Sequence, residues 1–383
     1  MQQNNRIYGL DALRAIAMLL GIVLHASIAY KVYPNPTWPS DNQYHSWFFD
    51  GLYLFIHSFR MQLFYLVAGF FACLLYKKIG ESAFIRHRLK RIVIPFAGSL
   101  IFILPLTIAP FLYYKYFIAD QLPVQEAKHL FYRQLFRWNG MAHLWFLYYL
   151  VIFYGVMLAV LRIKPLQRFR LKLNPGSFLQ VLGLGIVLAF IQVIFFRESV
   201  VEVSTGILPK VSHLLYYGFF FIVGYHLHHN QSAFLQLARH TWLYLLPGII
   251  FTGGMFYILA NDTPEGQLST TIPAKLLAAM QTIFLVFGAI GFFLRYLNSE
   301  RPYLKYIADA SYWLYLVHLS LVASLQILFR YTNVPGAMRF GLVLLITSLI
   351  ALATYQWFIR YSFIGDILHG PRKKTVAPEA VEA

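Results

Sequence analysis

The sequence predicts an all-α integral membrane protein, a bundle of about ten transmembrane helices with both termini cytoplasmic. Three observations carry that expectation. Of 383 residues, 59% are hydrophobic and 18% aromatic while only 12% are charged, about half the charged share of a soluble protein. Uncharged apolar stretches recur along the chain, each near the ~17–25 residues that a helix needs to cross a ~30 Å hydrocarbon core. The stretches are continuous rather than alternating, which excludes a closed barrel and leaves helices, whose backbone satisfies itself in lipid.

The stretches lie at 10–30, 51–76, 92–114, 143–161, 176–196, 212–228, 241–260, 274–295, 312–330 and 338–359. The first follows Arg6 as the apolar core of a signal peptide would. Asp11 and Arg14 interrupt it, however, and it outruns an h-region of ~7–15 residues, so a retained helix is expected. The sixth is polar at both ends through His213 and His226, His228 and His229. Segment 33–39 is a Pro-rich outer loop, and segment 115–142 has room for a lid or an in-plane helix. The chain therefore divides into a cytoplasmic N-terminus at 1–9, a membrane domain at 10–360 and a charged cytoplasmic tail at 361–383 expected to be disordered.

A net charge of +17, from 32 Lys+Arg against 15 Asp+Glu, would suggest nucleic acid in a soluble protein. Here its distribution gives another reason. With the N-terminus inside, the inner segments, chiefly 77–91, 162–172 and the tail, carry twice the Lys and Arg of the outer ones. That is the cytoplasmic basic bias, which sets both termini inside and makes the bilayer rather than nucleic acid the partner. The single cysteine, Cys73, excludes a disulfide scaffold and Cys-based zinc or iron–sulfur sites. The histidines at 226, 228 and 229 lack a nearby carboxylate or cysteine, and no metal is assigned to them.

The informative residues are the polar ones inside apolar helices, because a charge near mid-membrane costs on the order of 3 kcal/mol or more and usually faces protein or a wet cavity. Asp11, Arg14 and His25 share one stripe of the first helix. From Arg14 to His25 the helix turns ~1100°, about 20° past three full turns, and rises ~16 Å. Asp50, Tyr53, His57 and Arg60 form a second stripe on a helix running the other way, so His57 and His25 sit at comparable depth. Arg86, Arg88, Lys90 and Arg91 cluster just before the third stretch. Topology alone would account for them, yet Arg88-x-x-Arg91 at a helix N-terminus would also suit phosphates. His143 opens HLWFL, and SYWLYLVHLSL carries Ser311, Tyr312 and His318. Each group has an ordinary structural reading: an i,i+3 anchor for Asp11–Arg14, a packing network for Asp50–His57–Arg60, and satisfied core histidines for the rest.

The segments GLDALRAIAMLLGIVLH, RHRLKRIVIP, HLWFL and ASYWLYLVH, in that order over about ten spans, resemble the type 3 acyltransferase family of integral-membrane enzymes. IHSFRMQLFYLVAGFF further resembles the glucan-biosynthesis branch of that family, which is associated with succinylation of periplasmic glucans. The resemblance implies that Arg14 and His25, with Asp11 beside them, belong to the active site. It also implies that Arg88 and Arg91 lie by the acyl-CoA entrance, and that His143, Ser311, Tyr312 and His318 line the core. Ala68 departs from the pattern, standing where the family commonly has Ser.

The residue chemistry agrees. Moving an acyl group from a CoA thioester to a sugar hydroxyl needs a general base and a basic site for the CoA phosphates. The expectation is a bacterial inner-membrane O-acyltransferase that takes acyl-CoA, succinyl-CoA among the donors, as co-substrate without a bound cofactor and acylates a periplasmic glycan. His25 could act as base or as transient acyl carrier. A transporter or flippase would use intramembrane Arg and His residues equally well.

Overall fold

A computed structural model describes residues 7–372 except 34, 36, 138–139, 168 and 264–266. The ends of the expected cytoplasmic N-terminus and tail, 1–6 and 373–383, lie outside the described residues. In chain order the main helices are α1 (Tyr8–Ser27), α2 (Trp47–Ile79), α3 (Glu81–Ala119), α4 (Val124–Leu135), α5 (Ala142–Leu161) and α6 (Phe178–Phe195). There follow α7 (Val211–Leu227), α8 (Thr241–Ala260), α9 (Ile272–Tyr296), α10 (Pro302–Phe329), α11 (Gly336–Ile359) and α12 (Phe363–Leu368). No strand occurs among the described residues.

Among the described residues nine helices, all but α4, α7 and α12, are long and apolar enough to cross a membrane. The expected sixth span is α7, whose 17 residues extend only ~25 Å. It packs on α2 with most of its side chains buried, and the crossing is set by two glycines. A Cβ on Gly69 would fall 2.0 Å from the Phe221 carbonyl oxygen, and one on Gly224 1.8 Å from that of Leu66, so only glycine allows the backbones so close. The polar ends of α7 hold loops: His213 Nε2 donates to the Glu202 carbonyl at 2.8 Å, and the Leu171 N–H donates to His226 Nδ1 at 3.3 Å.

Two boundaries differ from expectation. Gly80, at φ +77°, turns the chain sharply after α2, and α3 starts at once with Glu81. The basic segment 86–91 therefore lies within a continuous helix, widened by a π turn at Leu89–Val93 just ahead of Pro95, where an N–H is missing. Likewise α10 begins at Pro302, ten residues before the expected edge of its span.

On the face that carries the α1–α2 loop, Asp41 and Arg339 form a buried ion pair at 2.6 Å, the side chains 4% and 3% exposed. Asp41 also accepts from the N–H groups of Gln43 and Tyr44, while Arg339 donates to the carbonyls of Thr332 and Val334. The loop is thereby pinned to the α10–α11 turn, and removing either partner would strand a buried charge at a cost of about 3–5 kcal/mol. Segment 115–142 contains α4, which exposes Val124 and Tyr132 beside charged residues, the pattern of a helix lying along an interface.

Candidate active site

The two polar stripes meet. α1, α2, α3, α5 and α10 enclose two cavities of about 460 Å³ each, stacked along α1. Both are lined by Met18, Phe64, Phe146 and Tyr315, so these four largely apolar side chains form the neck where the cavities meet.

One cavity has a basic floor. Asp11 and Arg14 line it from α1, with Arg14 Nη1 3.9 Å from Asp11 Oδ1, and His87, Arg88 and Arg91 line it from α3. Arg88 stacks over Tyr154 at 4.7 Å and Phe84 at 5.0 Å, and its Nε has no partner among the described residues. Arg91 donates to the Ile367 carbonyl at 3.2 Å, which joins α12 to the rim, while Arg372 and Asp309 pair at 2.6 Å beside it. Arg88 and Arg91, three residues apart, share the cavity face of α3. Arg86 and Lys90 do not line it: offset by two residues, they point away and are exposed. The arginines sit inside α3 rather than at its N-terminus, so they would hold an anion through their side chains, without free backbone N–H groups.

The other cavity is lined by His25, His57, Arg60, His143 and His318, with Asn35, Thr37 and Trp38 from the α1–α2 loop and Glu202 and Thr205 from the 196–210 loop. A tight corner delivers His143. Gly140 has φ +132°, Ala142 has φ +43°, and the Met141 N–H bonds the Thr205 carbonyl at 2.8 Å. Backbone carbonyls can only accept, so they dictate which ring nitrogen of three histidines carries the proton. His57 donates from Nε2 to Val201 at 3.1 Å, and His143 from Nε2 to Leu316 at 3.1 Å. His318 donates from Nδ1 to Tyr315 at 2.8 Å and Leu314 at 3.1 Å. His25 has no such carbonyl among the described residues; its ring lies flat on Trp38, centroids 5.5 Å apart at 8°, and 5.2 Å from the ring of His318.

Arg60 is the anomaly. It reaches across to α1, where Nη1 lies 2.0 Å from the place a Cβ on Gly21 would occupy, so the glycine makes its seat. Its neighbours are Tyr53, Tyr217 and Tyr315, and Nε is buried without a partner among the described residues. The only carboxylate lining this cavity among the described residues is Glu202, which faces Tyr53.

Asp50 does not join the stripe it was grouped with. Two turns above His57, its carboxylate accepts from the Val32 N–H at 2.7 Å and fastens the loop instead. Ser311 and Tyr312 line the basic cavity rather than the histidine one. Ser311, seven residues before His318, shares its face but lies ~10 Å along the axis. Two contributors escaped the sequence reading, Trp38 and Gln326. Trp38 Nε1 donates to Gln326 Oε1 at 2.8 Å, and Gln326 Nε2 donates to the Ala26 carbonyl at 2.9 Å, which ties the ring stacked on His25 to α1 and α10. A glutamine in the apolar run of α10 was the available signal; the loop tryptophan gave none.

Fold and site define a multi-pass membrane protein with a basic cavity and a histidine-rich cavity joined through a neck. The profile of the acyltransferase domain, type 3, matches residues 7–356, and the chain belongs to that family of membrane acyltransferases. It is 27% identical to the glucans biosynthesis protein C of Salmonella schwarzengrund over 379 residues, 95% of each chain. With the protein of that name from Salmonella gallinarum it shares 27% over 325 residues, 82% of this chain and 81% of the relative. No solved structure matches.

Proposed function

We propose that the protein is an O-acyltransferase of the bacterial inner membrane, moving an acyl group from cytoplasmic acyl-CoA to a hydroxyl of a periplasmic glycan, with the donor as co-substrate and no resident cofactor. The observation that carries this reading is the pair of cavities meeting at Met18, Phe64, Phe146 and Tyr315. CoA phosphates would rest on Arg14, Arg88 and Arg91, and the pantetheine arm would pass the neck and present its thioester to His25, ~16 Å along α1. The acceptor would enter past the α1–α2 and 196–210 loops. The neutral imidazole of His25 takes the hydroxyl proton as the oxygen attacks the thioester carbon. The C–O bond forms, the C–S bond breaks, and the proton passes to the departing sulfur.

A succinyl group is the acyl this reading favours, because Arg60 offers its free carboxylate a counter-charge, and the relatives' name, glucans biosynthesis, makes a periplasmic glucan the first acceptor to try. Purified in detergent, the protein should acylate such a glucan from succinyl-CoA with no membrane gradient. A transporter would show no turnover under those conditions.

Two further results are expected. Arg88→Ala and Arg91→Ala should each raise the KM for acyl-CoA roughly ten- to a hundred-fold, since a charge-assisted hydrogen bond is worth ~1.5–3 kcal/mol, with little change in the acceptor KM. Unchanged donor KM in folded protein would remove them from the donor site. Reporter fusions should place the C-terminus in the cytoplasm and a site near Asn42 in the periplasm, as the two-to-one Lys/Arg bias requires; a periplasmic C-terminus would overturn the proposed direction of transfer.

A further inference from the structure

His318 is buried, at 3% exposure, in a cavity whose chemistry has so far been assigned to His25. Its state is unusually well determined. Nδ1 lies 2.8 and 3.1 Å from two carbonyl oxygens of its own helix, Tyr315 and Leu314, and both can only accept, so Nδ1 must carry the hydrogen. Nε2 is left as a bare lone pair, buried and without a partner among the described residues. Across 5.2 Å between ring centres stands His25, whose buried nitrogen, Nδ1, also has no partner among the described residues. One ring needs a hydrogen to accept, and the other has no group to fix where its hydrogen sits. His143, the other ring beside His318 at 5.6 Å, cannot supply it, because its hydrogen is on Nε2 and committed to the Leu316 carbonyl.

We infer that His318 is the positioning residue of His25: the two nitrogens are not in direct contact, and one water between them passes the hydrogen bond from Nδ1–H of His25 to Nε2 of His318, which holds the Nε2 lone pair of His25 toward the cavity as the base. A catalytic base that is oriented by a third group is a recurring requirement of acyl transfer, and the wrong tautomer removes the lone pair from the place where the proton arrives. The unusual element is that the orienting group is a neutral imidazole rather than a carboxylate. The neighbourhood gives a reason. Arg60 lies on the same wall and already brings one positive charge, so the orienting group must accept a hydrogen bond without having to bind a proton. The tautomer of His318, locked from behind by two carbonyls, does that. Trp38 stacked on the His25 ring limits tilting of its plane, so the hydrogen-bond partner in that plane selects the nitrogen presented to the acceptor.

The inference rests on the acyl-transfer reading but has a readout independent of turnover. In wild-type protein labelled with 15N-histidine, with His25→Ala used to assign the signal, solid-state NMR should find His25 neutral with hydrogen on Nδ1. Hydrogen on Nε2 would overturn the proposal whatever the protein's activity. His318→Leu should shift His25 away from the Nδ1–H form and lower kcat about a hundredfold while leaving the donor KM within about twofold. His318→Gln, which restores an acceptor oxygen, should recover at least tenfold of that loss. Equal losses in Leu and Gln variants with the His25 tautomer unchanged would make His318 a packing residue and overturn the proposal. If His318→Leu fails to fold, the wild-type tautomer and the Gln variant decide. Absence of any wild-type acyl transfer alongside an Nδ1–H signal would sink the acyltransferase mechanism and leave the pairing standing.

Discussion

His25→Ala is expected to insert and fold, to bind CoA as the wild type does, and to lose roughly 10²–10⁴ in kcat, the contribution of a positioned general base. The split between binding and rate follows from the stacking of the two cavities. Arg14, Arg88 and Arg91 surround the basic one, and His25 lies three turns, ~16 Å, along α1 on the far side of the neck. A change at His25 leaves the phosphate contacts untouched. The substitution also leaves the helix intact, since alanine is the best helix former and the buried Nδ1 of His25 makes no direct hydrogen bond to a side chain among the described residues. The cost is a small void beneath Trp38, which Gln326 still holds at 2.8 Å. Calorimetric titration of CoA and a glucan acylation assay on the same preparation check the two halves. Turnover within tenfold of the wild type would take the base away from His25 and give it to His57, which lines the same cavity.

How much of this could be read in the sequence depends on whether a relation runs along one helix or between helices. The Arg14–His25 stripe was legible because α1 is uninterrupted and 3.6 residues per turn fixes both azimuth and rise. The common depth of His25 and His57 followed from counting along two antiparallel helices, and both do line one cavity. Other relations were not legible in the same way. Hydropathy ends a helix where charges begin, so segment 86–91 read as lying just before the third span, at a helix N-terminus, whereas helical hydrogen bonding continues through it, as it can where charges reach a wet cavity. Shared azimuth also hid a difference of depth: Ser311 and His318 lie on one face of α10, but the neck at Tyr315 puts them in different cavities. Asp50 is similar, since its two turns of separation from His57 take it to the loop. Trp38 with Gln326, and Arg60 with Gly21, are pairings across chain separations that no periodicity encodes.

Arg60→Gln is expected to change which acyl group is transferred more than how fast transfer runs. A guanidinium set in the membrane interior, with its Nε without a partner among the described residues, carries a desolvation cost of several kcal/mol. An anionic ligand group would offset it. The seat on Gly21 fixes where that group must lie: four residues, hence ~6 Å of helix rise, from His25. In succinyl-CoA the thioester carbonyl and the free carboxylate are separated by three C–C bonds, roughly 4 Å, so a thioester near His25 brings the carboxylate within reach of Arg60. An acetyl group has nothing to place there. Replacing Arg60 by glutamine, which keeps a hydrogen-bond donor but no charge, should therefore lower kcat/KM for succinyl-CoA about a hundredfold or more, since stranding a buried charge costs about 3–5 kcal/mol. Acetyl-CoA should lose less than fivefold. The unliganded variant should also be no less heat-stable than the wild type, because the substitution removes an uncompensated charge rather than a partner in a pair. The two-donor comparison with a thermal melt separates this from a structural role: equal losses for both donors with a lowered melting temperature would mean that Arg60 serves packing around Tyr53, Tyr217 and Tyr315, and that the acyl carboxylate is recognised elsewhere.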